Sequence, residues 1–395
     1  MKKMNIALIS PASLPATQFG GILFLAVDIA RELSRKGNKI TIYTTDLDFT
    51  INSRSFNKKL PRNEKIKEFT IKRSHVWLSI KLFFINPGIY FQLKHDNNDI
   101  IHCIGIRSFQ SLIGAIIAKN KKIPLVISDQ GGLTTHPQIN SSYFNKILYK
   151  LQNPLIKFII KNASKIIVAN EYEKKIFEKY SDSEKISIVR NGINLEDFVN
   201  FNNDFRIKYS IQKKFFLFVG RFNHVKGIDI LIKAINEIKN ELIEKDWLCV
   251  IMGVDFGYQD QMLKLIEKYN LEKIIRIIKK PIRSDVISAY EKSEFLVLPS
   301  RWELSPLTPL EGFAFRKPVI STNCHGIPYT IENNKNCILT KPEDFKDVSN
   351  AIMYFIDNEV DRLKFGENGF EWVKNKCNSI KMVEEVEKIY QELLK

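Results

Sequence analysis

The stretch Phe295-Leu296-Val297-Leu298-Pro299-Ser300-Arg301-Trp302-Glu303-Leu304-Ser305-Pro306-Leu307-Thr308-Pro309-Leu310-Glu311 reads as a strand, a loop and the start of a helix. Its first four residues are continuously apolar, as in a parallel strand covered on both faces. A second apolar run, Pro318-Val319-Ile320-Ser321, follows the helix. Strand, helix and strand in that order make a βαβ unit of a doubly wound sheet. Glu303 falls on the loop after the first strand, and Glu311 inside the helix. Two carboxylates therefore stand at the carboxyl edge of a parallel sheet, where open α/β folds bind ligands.

Upstream, Phe216-Leu217-Phe218-Val219-Gly220-Arg221 ends another strand, and Lys226-Gly227 opens the next helix. An Arg and a Lys at a helix start suit a diphosphate, and a carboxylate pair suits polyhydroxyl groups. Gly220 and Gly227 on either side suggest close backbone approach. Together these residues read as a nucleotide-sugar site. Gly20-Gly21 lies between the first strand and its helix and offers a second phosphate approach, although a tight turn explains it equally well. No G-x-G-x-x-G run and no Walker A lysine motif occurs, so NAD-type binding is disfavoured.

The same alternation extends in both directions. Asn5–Ser10, Lys39–Thr44, Ile100–Cys103, Pro124–Ser128 and Ile166–Ala169 read as strands of a first sheet, with a helix over Phe24–Gly37. Ile188–Asn194 reads as a closing strand and turn. The polar Asn200–Asp204 is the expected linker. Phe215–Val219, Trp247–Met252, Ile274–Ile278, Phe295–Leu298, Pro318–Ser321 and Cys337–Leu339 then form a second Rossmann-like unit. From Ser379 onward, Met382, Val386, Ile389 and Leu393 recur at helical spacing. The expected domains are 1–200 and 201–378, followed by a terminal helix over 379–395.

Composition narrows the class. The 395 residues, 44% apolar and 26% charged, are those of a globular protein too long for one ordinary core. Five widely spaced cysteines without a C-x-x-C pair support neither a disulfide framework nor a zinc site, and fit a reducing, cytoplasmic setting. The six histidines form no ligand cluster, so no metal or other cofactor is expected. The most apolar candidate span, Ile80 to Leu93, is broken by Lys81, Asn86, Pro87 and Gly88. The net charge of +16 is uneven: residues 1–200 hold 30 Lys+Arg against 16 Asp+Glu, which is +14. Such an excess points to a polyanionic partner, nucleic acid or an anionic membrane face. No nucleic-acid-binding module appears, which favours the membrane.

The motifs Val219-Gly220-Arg221…Lys226-Gly227, Asn191-Gly192-Ile193, Pro299-Ser300…Glu303-x7-Glu311 and Lys317-Pro318-Val319-Ile320 resemble the retaining glycosyltransferases of family 4, over essentially the whole chain. The resemblance implies a GT-B fold, with two Rossmann-like domains facing across a cleft and a terminal helix crossing back to the first. It implies an enzyme that transfers a sugar from a nucleotide-diphosphate sugar with retention, without metal. Arg221 and Lys226 would hold the diphosphate, Glu303 the sugar hydroxyls and Glu311 the nucleotide ribose. Gly21, Gly220, Leu307 and Thr308 complete the implied donor-binding set. The acceptor would be a glycan or a lipid-linked chain at the inner membrane face. A non-catalytic nucleotide-sugar-binding or membrane-docking relative, or another GT-B enzyme such as an epimerase, is the alternative.

Several positions depart from the family pattern. Asp129-Gln130-Gly131-Gly132 follows the strand that many relatives end with a histidine near the reacting sugar, so Gln130 or His136 is the candidate there. Pro306 replaces a common glycine and lacks its N–H. Tyr329 stands where an acid is common, and Arg316 where a small residue is usual. Lys72-Arg73-Ser74-His75-Val76-Trp77…Lys81-Leu82-Phe83-Phe84 and the lysines of Tyr143–Lys165 read either as solvated basic faces or as a membrane-surface patch.

Overall fold

A computed structural model describes residues 3–48, 55–80, 82–131, 133, 143–199 and 205–395. It divides into two compact units, Met1–Gly192 with Ser379–Lys395, and Ile193–Asn378. The second unit begins at Ile193 rather than at 201. Ile193 pairs with Asn378, and its N–H donates to the Cys377 carbonyl at 3.0 Å, so this segment is already tied to the second unit. The expected linker Asn200–Asp204, like His136, Lys81 and Gly132, lies outside the described residues.

The first unit is built on an eight-stranded sheet. Its order is Ile186–Ile188, Lys165–Val168, Leu125–Ser128, Ile100–Ile104, Asn5–Ile9, Lys39–Thr45, Phe69–Ser74, Asn63–Ile66. Every pairing is parallel except the last. Alternate residues of the central strand serve opposite faces, as a pleated strand requires. Ile6 and Leu8 join a core with the helix Gly21–Arg35, whereas Ala7 and Ile9 join one with the helices Phe109–Lys121 and Tyr143–Asn162.

The terminal helix Ser379–Leu393 completes this unit. Met382, Val386 and Ile389 are buried in the core that holds Gly21–Arg35. Lys36 donates to Glu387 at 2.8 Å, and the Tyr390 hydroxyl meets His102 Nδ1 at 2.6 Å. His102 is fully buried, which pushes its imidazole down to about 3 and keeps it neutral.

The edge strand Asn63–Ile66 and its neighbour Phe69–Ser74 were not expected, and the second of them corrects the basic patch. Lys72 hydrogen-bonds Asp96, and Arg73 is buried, donating to Leu14 O at 2.7 Å and Pro61 O at 2.9 Å. Phe84 is buried against the rings of Phe19 and Phe56. Arg73 and Phe84 are therefore buried structural groups, and Lys72 is half-buried and held by Asp96. Among the described residues of this segment, the exposed ones include apolar Trp77, Leu78, Ile80 and Leu82, in and beside the hairpin of Leu78–Ile80 with Phe83–Ile85.

The second unit carries six parallel strands, in the order Ile275–Lys279, Trp247–Gly253, Lys214–Val219, Leu296–Leu298, Val319–Thr322, Cys337–Thr340. Trp247–Gly253 is buried at every position, which is why it reads as an unbroken apolar run. The winding reverses between Lys214–Val219 and Leu296–Leu298, because their crossovers leave in opposite directions. That reversal opens a crevice at the carboxyl ends of these two strands.

Candidate active site

The loops that follow the two strands at the reversal carry the charged residues singled out by the sequence. After Lys214–Val219 the chain runs through Arg221 to the short turn His224–Lys226. Asn223 caps this turn, its side chain accepting the Lys226 N–H at 3.1 Å. Gly227 then adopts a left-handed conformation, with φ of 68°, before the helix Ile228–Glu237. A Cβ at Gly227 would lie 1.9 Å from the Pro299 carbonyl oxygen, so only glycine lets the two loops meet. Gly253 lies against the carbonyl oxygen of Gly220, which a Cβ at Gly253 would meet at 1.8 Å, while Gly220 itself has more room. A Cβ there would meet nothing nearer than the Phe218 ring at 3.4 Å.

From the second loop Glu303 reaches the same place. Its carboxylate is hydrogen-bonded to the Lys226 ammonium and accepts the Ser300 hydroxyl at 3.3 Å. Its backbone carbonyl accepts the Gly326 N–H at 3.0 Å. Burial lowers the proton affinity of the Arg221 guanidinium, with the nearby Glu303 charge opposing. The guanidinium lies 5.2 Å from the Phe256 ring centroid. Val219, Lys226, Leu298, Ser300, Glu303 and Thr308 line a small, partly enclosed depression at this point.

Glu311 lies in the helix Leu307–Ala314 and is buried. One carboxylate oxygen accepts Arg283 Nη2 at 2.8 Å, and the other accepts the Tyr290 hydroxyl at 2.7 Å. Burial pushes the Tyr290 hydroxyl well above its ordinary range, and the Glu311 charge adds to the rise. Burial opposes protonation of Arg283, but Glu311 more than offsets it and raises the guanidinium. Arg283 also stacks over Phe198 at 5.3 Å. Arg283 and Tyr290 were not anticipated. Their spacing of seven on the helix Arg283–Lys292 places them on one face, which is the signal a sequence offers.

Arg221, Lys226, Glu303 and Thr308 are thus brought together, with Leu307 at the first position of the helix that carries Thr308 and Glu311. Gly21 and Gln130 belong to the first unit. Gly21 begins its helix and is exposed, following Gly20 with φ of 106°. Gln130 has φ of 55° and makes a reciprocal amide pair with Asn191, donating at 3.2 Å and accepting at 3.0 Å. Among the described residues no group of His, Cys, Asp and Glu could hold a metal ion.

Residues 19–197 match the family described as Glycosyltransferase Family 4, and residues 201–372 the one described as Glycosyl transferases group 1. An uncharacterized glycosyltransferase of Methanocaldococcus jannaschii is 31% identical over 72% of this chain and 73% of its own length. The Escherichia coli UDP-Gal:alpha-D-GlcNAc-diphosphoundecaprenol alpha-1,3-galactosyltransferase is 27% identical over 78% of this chain and 79% of its own. Among solved structures, Anabaena Alr3699/HepE in complex with UDP and glucose superposes with a TM-score of 0.77, at 16% identity, covering 98% of this chain and 99% of its own. Two Rossmann-like units, a helix returning to the first, and these matches along both halves lead to one assignment: the chain is a glycosyltransferase of family 4 with the GT-B fold.

Proposed function

We propose that the chain transfers a hexosyl group from a nucleotide-diphosphate sugar with retention at the anomeric carbon and without a metal ion. The observation that carries this is the meeting of Arg221, Lys226 and Glu303 at the winding reversal of the second sheet. Two cations on rigid turns face charge that grows on the leaving diphosphate, in the role of fixed electrostatic stabilisers. Glu303, on the facing loop, accepts hydroxyls of the sugar, while Glu311 accepts those of the ribose. The bond from the anomeric carbon to the diphosphate oxygen breaks, and the acceptor oxygen bonds on the same face. Its proton passes to the departing diphosphate oxygen. No histidine base is required by this route, which accommodates Gln130. The UDP-Gal named for the Escherichia coli relative, and the UDP and glucose bound in the HepE structure, support a uridine-diphosphate hexose as donor.

The acceptor in this reading is lipid-linked and presented at an anionic membrane face. The Escherichia coli relative acts on a diphosphoundecaprenol-linked sugar. In the first unit Trp77, Leu78, Ile80 and Leu82 are exposed directly after the strand Phe69–Ser74. Both this hairpin and the helix Tyr143–Asn162 pack on the helix Phe109–Lys121. That second helix exposes Lys146, Lys150, Lys157 and Lys161 together with Ile147 and Leu151. Each lysine near an anionic surface contributes about 1 kcal/mol, and an apolar tip adds insertion. Among the described residues no helix is long and apolar enough to cross a membrane.

Purified protein incubated with a panel of nucleotide-sugars should release nucleotide from one of them. Lys226→Ala should slow that release by about 10²–10³ while the fold is kept. Release at the wild-type rate would remove Lys226 from the mechanism. Sedimentation should show binding to anionic vesicles that Trp77→Ala weakens; equal pelleting with neutral vesicles would refute the membrane reading.

A further inference from the structure

Arg301 lies between Ser300 and the Glu303 carboxylate in sequence, yet its side chain turns back to the other loop. Its guanidinium clamps Asp229 through both terminal nitrogens, at 2.7 and 2.8 Å. Nε and Nη2 hold Glu343 at 2.6 and 2.9 Å, and Nη1 also donates to the His224 carbonyl at 2.7 Å. The Arg301 backbone N–H donates to the Val225 carbonyl at 2.8 Å. His224 and Val225 are the residues immediately before Lys226, and Asp229 sits in the first turn of the helix after it. One side chain therefore grips the Lys226 turn from both ends, while its own backbone belongs to the loop that delivers Glu303. The arginine is buried enough for these bonds to be shielded, with 12% of its side chain exposed.

We propose that Arg301 is a positioning residue for the transfer reaction, which sets the Lys226 ammonium against the leaving diphosphate by bolting its turn to the Glu303 loop. Gly227 permits the approach to Pro299, and Arg301 holds the backbone of the turn there through the His224 and Val225 carbonyls. A lysine in its place keeps the charge but not the planar fork that serves two carboxylates and a carbonyl together. The inference rests on the donor-site reading given above, and concerns geometry, so its signature is in turnover more than in donor affinity. Misplacement of a stabilising group by an ångström costs on the order of 10² in rate.

The test is a double-mutant cycle on nucleotide release with saturating donor. Arg301→Met is expected to lower kcat by on the order of 10², with a smaller change in the donor KM, and Arg301→Lys to restore part of that loss. If Arg301 acts through Lys226, adding Arg301→Met to Lys226→Ala costs nothing further in kcat; the two losses do not multiply. Multiplying losses, or an Arg301→Met enzyme with unchanged kcat, would overturn the proposal. If Lys226→Ala alone leaves kcat intact, the donor-site reading itself has failed, and that outcome is distinct. Should Arg301→Met not fold, Asp229→Asn loosens the same clamp while leaving Glu343 on the arginine, and the same non-additivity with Lys226→Ala is expected.

Discussion

Replacing Arg283 by Met takes the cation from a carboxylate that the second unit buries. Glu311 keeps 9% of its side chain exposed and has two partners, Arg283 at 2.8 Å and Tyr290 at 2.7 Å. Losing one member of a buried pair typically costs about 3–5 kcal/mol, because the charge left behind is uncompensated. Arg283 keeps 26% of its side chain in contact with solvent, which weakens the pair and argues for the lower end. A loss of about 3 kcal/mol in a unit of this size should lower its Tm by roughly 6–12 °C. Trp247, Trp302 and Trp372 all lie in the second unit, so tryptophan fluorescence during heating or urea unfolding reports on it. Adding Glu311→Gln to Arg283→Met should recover most of that loss, since the orphaned charge is gone. Donor turnover should not recover, because the ribose acceptor has been altered. An Arg283→Met protein as stable as the wild type would refute the account of Glu311 as a carboxylate held by its partners. So would a double variant less stable than the single one.

Other expectations follow from the same residues. Nucleotide release should be unchanged in excess EDTA if Arg221 and Lys226 carry the electrostatic role proposed for them; strict dependence on Mg²⁺ or Mn²⁺ would point to another architecture. Tyr390→Phe removes the hydroxyl that meets buried His102 and should cost about 1–3 kcal/mol in the first unit. A denaturation midpoint equal to the wild type would count against the terminal helix as an anchored element. Glu173 is fully buried, and burial together with Asp129 pushes its carboxyl up to about 8. The folded protein thus retains a proton that the unfolded chain gives up at lower pH, so this contribution is present under acidic conditions and fades as pH rises toward that value. Glu173→Gln should therefore gain stability relative to wild type at about pH 9 compared with about pH 5, as read from urea midpoints; an identical pH slope would contradict it.

The order of strands and helices was legible because parallel strands covered on both faces must be apolar throughout. Runs such as Trp247–Gly253 and Leu296–Leu298 announce themselves by composition alone. The same is true of the site's chemistry: Glu303, Glu311, Arg221 and Lys226 stand next to strand ends, and the periodicity places those ends at a ligand-binding edge. The terminal helix was equally plain from its apolar stripe, whereas its return to the first unit was implied by the family resemblance. Tertiary structure alone decided which of these groups meet. Lys226 and Glu303 are 77 residues apart and are joined only because their two strands are neighbours in the sheet. Local spacing carries no information about sheet order, so the partners of Glu311 and the grip of Arg301 on Asp229 were hidden. The strand Phe69–Ser74 escaped notice because it mixes polar and apolar residues near the sheet edge, and its Lys72 and Arg73 looked like free surface charge. The pairing of Lys72 with Asp96 and of Arg73 with Glu64, like the bonds from Arg73 to backbone carbonyls, depends on contacts that only folding brings together.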